Sequence, residues 1–414
     1  MRSLQINQSD TFGGAAIASY RLHQVLLQKK IDSKLLVGTV RERDPNIARV
    51  PRYLLAEKVI RQFTRRIGLN YLEYFRSLRI DRHPFVENAD VVNLHNLHTG
   101  YFNYLAIPRL SKKKPLVLTM HDMWTITGHC AYSLDCGKWE SGCGACPYPN
   151  VYPEIRMDLT KLEWRLKSWA FGKPRITVIT PSLWLKQIAE KSLLKNQEIL
   201  HIPNGLNLKI YKPLPKAVSR KRLGIGARDF VIMFAAHDLS DPRKGLSDIV
   251  SAAITLSEES VVRRKITLLL LGQNSNIPKN LFPDSINVVM PGYLNDDQDK
   301  VHCFSAADVF FFPTQADNLP IVLQESMACG TPMISYPVGG VPELVRDGKT
   351  GMIIQKGDRR SLVHSFRTLL QDLEFAKRLS NNCRRLAESE YSDELQAERY
   401  IKVYKNAIEK FRKS

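Results

Sequence analysis

The sequence predicts an α/β protein of two doubly wound domains, each a parallel sheet with crossover helices, facing one another across a cleft. Three observations predict it. Short apolar runs alternate with helical stretches almost throughout, which is the pattern of βαβ units. The 414 residues exceed what one core usually holds. A segment rich in Pro, Asn and Gly, residues 203–216, divides the runs into two sets as a linker does. Ligands of open parallel sheets bind beyond the carboxyl ends of the strands, so two facing sheets would share one binding cleft.

In the first domain, residues 1–205, strands are expected at 4–6, 34–37, 91–94, 116–119, 176–179 and 199–202, all short and rich in Val, Ile and Leu. Gly13 and Gly14 follow the first strand and precede a helical stretch at 19–28. Paired glycines at such a turn either admit a phosphate or sugar close to the backbone or simply close the turn. His95 and His98 follow the third run, and His121 and Asp122 the fourth, at strand ends where this architecture binds ligands. The second domain, 206–392, carries runs at 231–235, 266–271, 286–290, 309–312 and 333–335, and Gly292-Tyr293-Leu294 follows the third of these, at a strand end where this architecture binds ligands. Residues 393–413 place apolar side chains at Leu395, Ala397, Tyr400, Ile401, Val403, Tyr404, Ala407, Ile408 and Phe411, an amphipathic helix.

The run 309–312 leads into Asp317-Asn318-Leu-Pro320-Ile321-Val322-Leu323-Gln-Glu325, which sets two carboxylates eight residues apart around a helix start. Pro320 suits the first helical position, where its missing N–H is not needed. The amides of Ile321, Val322 and Leu323, with the helix dipole, would then favour a diphosphate in front of the helix. Asp317 ahead of the helix and Glu325 one turn inside it would reach hydroxyls on either side of that diphosphate. The alternative is an ordinary capped helix with a solvated Glu325. Asp297-Gln-Asp299 has the spacing of an Asp-x-Asp metal motif but reads as the acid-rich start of a helix.

The formal charge of +19 implies attraction to something anionic: nucleic acid, a phospholipid surface or a phosphorylated substrate. No nucleic-acid-binding motif is present, so nucleic acid is not an expected partner. With no 18-residue apolar run and a polar, short N-terminal entry, the chain reads as cytoplasmic and non-spanning. Residues 52–82 interleave Lys58, Arg61, Arg65, Arg66, Arg76 and Arg79 with apolar and aromatic residues. This is either a solvated basic face or a segment that adsorbs to an anionic membrane, on the inner face of the cytoplasmic membrane. Cys130, Cys136, Cys143 and Cys146 are spaced C-x5-C-x6-C-x2-C in the loop 128–147. In a reducing compartment such a cluster reads either as one structural zinc site or as free thiols.

The stretch from Asp317 to Glu325 resembles the Glu-x7-Glu motif of family 4 retaining glycosyltransferases, which have the GT-B fold, with Asp317 in the first Glu slot. The continuation through Gly339-Gly340-Val-Pro-Glu343 and Asp347-Gly-Lys-Thr-Gly351 also matches, as does Lys244-Gly245. In the signature Gly-Arg-x4-Lys-Gly, however, the arginine slot holds no arginine, and Arg243 is the candidate second cation. The resemblance is closest to bacterial enzymes that assemble polysaccharides, through Asp317-Asn-Leu-Pro and the loop beginning His121-Asp-Met-Trp. It implies a nucleoside-diphosphate-sugar donor, a saccharide or lipid-linked saccharide acceptor, and no cofactor required for catalysis. It implies Glu325 on the ribose, Asp317 on the sugar, Lys244 and the helix amides on the diphosphate, and His121 towards the donor sugar. Gly14 would lie at the donor phosphates, and Gly13, His95, His98 and Asp122 on the acceptor side. The C-terminal helix is expected to return to the N-terminal domain. Other readings are a nucleotide-sugar epimerase of the same fold and a catalytically silent nucleotide-sugar-binding protein.

Overall fold

All-parallel sheets organise the computed structural model, which describes residues 1–413 except 241–244, 260–263, 274–276 and 278–280, and at Leu54 the backbone only. The chain divides into two units, Met1–Gly205 with Asp393–Ser414, and Leu206–Ser392.

The first unit contains β1 (Arg2–Ser9), β2 (Asp32–Thr39), β3 (Ile47–Arg49), β4 (Val91–Leu94), β5 (Leu116–Thr119), β6 (Ile176–Thr180) and β7 (Glu198–His201), ordered β3-β2-β1-β4-β5-β6-β7. β4, β5 and β6 are buried along their whole length, so they read as continuous apolar runs. Alternation then sorts their side chains to two faces. Val92, Leu94, Leu116, Leu118 and Val178 pack with Tyr104, Trp124 and Phe171 on one face. Val91, Val117 and Ile179 pack on the other against Leu22, Val25 and Leu26 and against the helix Asp393–Arg412, which buries Ala397, Tyr400, Val403, Tyr404 and Ala407. The C-terminal helix therefore belongs to the first unit.

The second unit contains β8 (Phe230–Asp238), β9 (Ile266–Gln273), β10 (Ile286–Gly292), β11 (Val309–Phe312), β12 (Met333–Ser335) and β13 (Gly351–Ile353), ordered β10-β9-β8-β11-β12-β13. In each unit the strand order reverses at one place, between β1 and β4 and between β8 and β11. Open α/β sheets bind ligands outside the carboxyl ends of strands at such a place.

The sequence misses β3 and β13, three residues each at sheet edges. The first helix spans Gly14–Gln28, beginning five residues before the predicted start, because Gly13 itself is the N-cap. Asp296 caps the helix Asp297–Ala306 by accepting from the Gln298 amide at 2.8 Å, and Asp297 and Asp299 occupy its first turn.

Candidate functional site

Two sets of predicted residues are assembled, one in each unit. In the second unit β11 ends at Phe312, and the loop that follows is fixed by a glycine. Gly339 has φ +55°, and a Cβ there would stand 1.7 Å from the Asp317 carbonyl oxygen. Only glycine accepts both conditions, so the predicted Asp317 rests on the turn containing Gly339. Asn318 is buried beside it. The helix then runs Ile321–Ala328. Pro320 is its N-cap, with φ −62° and ψ 121°, and not its first helical residue as predicted. The Leu323 amide donates to the Pro320 carbonyl at 3.1 Å, which corrects the expectation of a third open amide. The amides of Ile321 and Val322 precede that first bond and stand at the positive end of the helix.

Glu325 is only 4% exposed, because the short helix buries nearly every side chain from Leu323 onward. The Tyr211 hydroxyl lies 3.0 Å from Glu325 Oε1 and 2.7 Å from Asp297 Oδ1, its one proton shared between two carboxylates. Lys300 Nζ donates to the same Asp297 oxygen at 3.0 Å. Tyr211 lies within the segment that the sequence marks as a linker, yet it is fully buried. An aromatic with a polar tip in a Pro- and Asn-rich stretch was the available signal.

At the ends of β10 and β8, Tyr293 meets His237 edge to face, with centroids 5.4 Å apart. Gly292 has φ +86° and open space where a Cβ would be, and Leu294 packs against the core. Leu239 occupies the slot where the signature has arginine, and Asp238 before it accepts from the amide and hydroxyl of Ser240 at 2.9 and 2.7 Å. Arg243 and Lys244 lie outside the described residues. Their neighbour Gly245, at φ +78°, caps the helix Leu246–Ser257 and lies against Pro313, the residue after β11.

In the first unit, Gly13 has φ +91°, and Asn7 Nδ2 ties the turn down by donating to the Ala15 carbonyl at 3.0 Å and to Ser19 Oγ at 2.7 Å. Space is open where a Gly14 Cβ would stand. The predicted histidines and Asp122 form two pairs, His95 Nδ1 with His121 Nε2 at 2.9 Å and His98 Nε2 with Asp122 Oδ2 at 2.8 Å. Asp122 Oδ1 also accepts from the Trp124 amide at 2.9 Å. Burial pulls His121 down to about 4, with Asp122 opposing and His98 reinforcing the shift. Burial, then the proximity of His121, holds His95 well below its ordinary value. Both imidazoles are therefore neutral near pH 7. Beneath them lies a network the sequence reading missed. Asn93 Nδ2 donates to Gln5 Oε1 and to Tyr404 OH, both at 3.0 Å, and the hydroxyls of Thr119 and Tyr400 meet at 3.1 Å. Polar Asn93 inside the otherwise apolar β4, and Gln5 between Leu4 and Ile6 in β1, were its signal.

The four clustered cysteines are free thiols. All four, with His129, line one cavity of about 20 Å³. Among the described residues no three His, Cys, Asp or Glu side chains already stand in a metal-holding arrangement.

The basic segment forms a helix, Leu54–Arg66, that exposes Leu55 (84%), Val59 (72%) and Phe63 (65%) at a four-residue spacing, hence on one face. Lys58, Arg61, Gln62, Arg65, Arg66 and Arg156 line a cavity of about 280 Å³ on the same unit. Among the described residues no helix is long and apolar enough to cross a membrane.

Comparison with known proteins gives these features a family. Residues 12–210 match the model of Glycosyltransferase Family 4, and residues 216–386 that of Glycosyl transferases group 1. A relative in Escherichia coli (strain K12), assigned provisionally as the colanic acid biosynthesis glycosyl transferase WcaC, is 26% identical over 98% of this chain and 100% of its own length. Among solved structures, sucrose-phosphate synthase from Thermosynechococcus elongatus aligns with TM-score 0.69 at 18% identity, covering 98% of this chain and 99% of that one. Anabaena HepE, solved in complex with UDP, aligns at 0.66 and 15%, covering 98% and 100%. With two family models meeting end to end along it and two parallel-sheet units to match, the chain belongs to the family 4 glycosyltransferases and has the GT-B fold.

Proposed function

We propose that the enzyme moves a sugar from a nucleoside-diphosphate sugar to a hydroxyl of a saccharide or lipid-linked saccharide, with retention at the anomeric carbon, in assembly of a bacterial cell-envelope polysaccharide. The observation that carries this reading is the second unit's helix Ile321–Ala328, which follows the strand at the sheet's reversal point and is flanked by Asp317 and Glu325. Crystals of HepE with UDP and with UDP-glucose, and the name of the WcaC relative, support the donor class and the pathway.

In this mechanism Glu325, fixed through Tyr211, accepts from the ribose hydroxyls, and Asp317 accepts from the sugar. The amides of Ile321 and Val322, with Lys244 and Arg243, offset charge as it develops on the departing diphosphate. The acceptor oxygen attacks the anomeric carbon from the leaving-group side while the bond from that carbon to the phosphate oxygen breaks. The acceptor proton passes to that phosphate oxygen, so neither a protein nucleophile nor a metal is required. Neutral His121 hydrogen-bonds the donor sugar, and Gly14 leaves room for the phosphates. Gly13, His95, His98 and Asp122 border the acceptor.

The enzyme works in the cytoplasm, at the inner face of an anionic membrane. The exposed Leu55, Val59 and Phe63 and the surrounding cations of the same helix support this placement. Thermal unfolding measured against a panel of nucleoside-diphosphate sugars tests the donor assignment. One nucleotide class should raise the midpoint, by an amount that grows with ligand concentration. No stabilisation across the panel would contradict the proposal, and donor turnover without acceptor would indicate an epimerase instead.

A further inference from the structure

Between the turn Trp124–Ile126 and the helix Thr160–Gly172 the chain runs without a helix or strand. Connections of this length are uncommon in compact domains unless something ties them down. Backbone geometry there is far from extended, with positive φ at Leu134, Gly142, Gly144 and Ala145. Leu134, Tyr152 and Met157 are exposed. Trp139, Ile155 and Ala131 are buried, a small apolar core for so long a segment, and the four cysteines are partly buried beside them.

Cys130, Cys136, Cys143 and Cys146 line one cavity of about 20 Å³, room for roughly one water-sized occupant. Burial favours the neutral thiol at Cys130, Cys143 and Cys146, and the Gly128 amide and Lys167 act against it at Cys143. The Gly128 amide donates to Cys143 Sγ at 3.2 Å, a bond that stabilises negative charge on sulfur. His129 Nδ1 donates to the Pro153 carbonyl at 2.8 Å, which fixes the ring with Nε2 3.2 Å from Cys146 Sγ. With Nδ1 protonated, Nε2 accepts from the Cys146 thiol and can take up that proton when the sulfur ionises. Under the loop sits Lys167, 1% exposed, whose Nζ donates to the carbonyls of Trp124 at 2.8 Å and Thr127 at 3.1 Å. Its charge acts on Cys130 and Cys143. Four thiolates around a divalent ion carry a net charge of −2, and a buried ammonium at the base of the cage offsets part of it.

We propose that Cys130, Cys136, Cys143 and Cys146 bind one thiophilic divalent ion of the zinc class, and that this ion cross-links the loop. Binding draws the sulfurs inward from their present positions around the cavity and releases the thiol protons to solvent. The consequence reaches the first unit's histidine cluster. The loop is joined to the segment after β5 by the bond from the Met123 amide to the Ala131 carbonyl at 2.8 Å, and the Ala131 amide donates to the Tyr152 carbonyl at 2.9 Å. Tyr152 stands against His98, with ring centroids 5.8 Å apart, and His98 is bonded to Asp122. The ion is therefore structural, and its closed four-sulfur set leaves no position for substrate.

Full-length protein purified under reducing conditions without chelator should contain about one equivalent of metal per chain. Stripped protein titrated with cobalt(II) should develop thiolate-to-metal charge-transfer absorption that saturates at one equivalent. Limited proteolysis should cut the loop 127–159 in stripped protein and spare it in the loaded protein. The double change Cys136→Ser with Cys143→Ser should abolish both the metal content and the cobalt spectrum. Should that variant fail to fold, the cobalt titration of the unaltered chain decides alone. Four titratable thiols with no metal and no cobalt–thiolate bands, two disulfides in the purified protein, or full metal retention in the double variant would each overturn the proposal.

Discussion

His95 Nδ1 lies 2.9 Å from His121 Nε2, so one of these facing nitrogens carries a proton and the other a lone pair. A proton on both would set two N–H groups head to head, and burial already opposes charge on either ring. The pair is neutral for that reason, and each ring fixes the other's tautomer. In the proposed mechanism this keeps His121 a hydrogen-bonding group for the donor sugar and not a cation.

The first prediction concerns pH. The folded-state pKa of His121, pulled to about 4, lies below its ordinary value of about 6.5, so the folded chain binds fewer protons than the unfolded chain between those values. Stability is therefore present above that window and lost as pH falls through it. His23, also pulled to about 4 by burial, adds to the same slope. Urea unfolding from pH 7 to pH 4 should show falling stability, and His121→Gln should flatten part of the fall. An unchanged slope in the variant would refute the neutral pair.

The second prediction concerns Gly339. Gly339→Ala introduces a Cβ against the Asp317 carbonyl at a backbone conformation that alanine resists, and should destabilise the second unit by roughly 1–3 kcal/mol. It should also displace Asp317 and weaken donor binding. Wild-type donor affinity in a folded Gly339→Ala variant would show that the Asp317 loop does not depend on this contact.

How much of this was legible in the sequence depended on how local the cause was. β11 and β12 have the predicted bounds, because a buried strand writes itself as an unbroken apolar run. β3 and β13 have three residues each and join the sheet by pairing, which leaves too little periodicity to see. Pro320 was predicted one position too far into its helix, since its fixed φ suits both the cap and the first turn. The resemblance named His95, His98, His121 and Asp122, but not that they pair as His95 with His121 and His98 with Asp122. That pairing comes from strand order, which sets β4 beside β5 and so brings residues 26 and 24 apart in sequence to hydrogen-bonding distance. Tyr211, far from Glu325 in sequence, left no local trace for the same reason.

The third prediction concerns the membrane. Each basic side chain near an anionic surface contributes about 1 kcal/mol, screened over a Debye length of about 8–10 Å. Changing Arg61, Arg65 and Arg66 together to Gln should reduce co-sedimentation with anionic vesicles and leave donor affinity intact, because these residues lie in the first unit and the proposed nucleotide anchor Glu325 in the second. Wild-type binding should fall as salt rises. Equal sedimentation of both proteins at low salt would make the helix Leu54–Arg66 an ordinary solvated face.

The last prediction tests the central claim, that Glu325 anchors the nucleotide of a sugar donor at the start of the helix Ile321–Ala328. Isothermal titration calorimetry of the donor selected by thermal stabilisation measures it directly, comparing wild type with Glu325→Gln. Exchanging the carboxylate for an amide keeps the shape and removes charge-assisted hydrogen bonds, so affinity should fall by roughly 1–3 kcal/mol, or about 5- to 150-fold. Equal affinity in a folded Glu325→Gln protein would contradict the account.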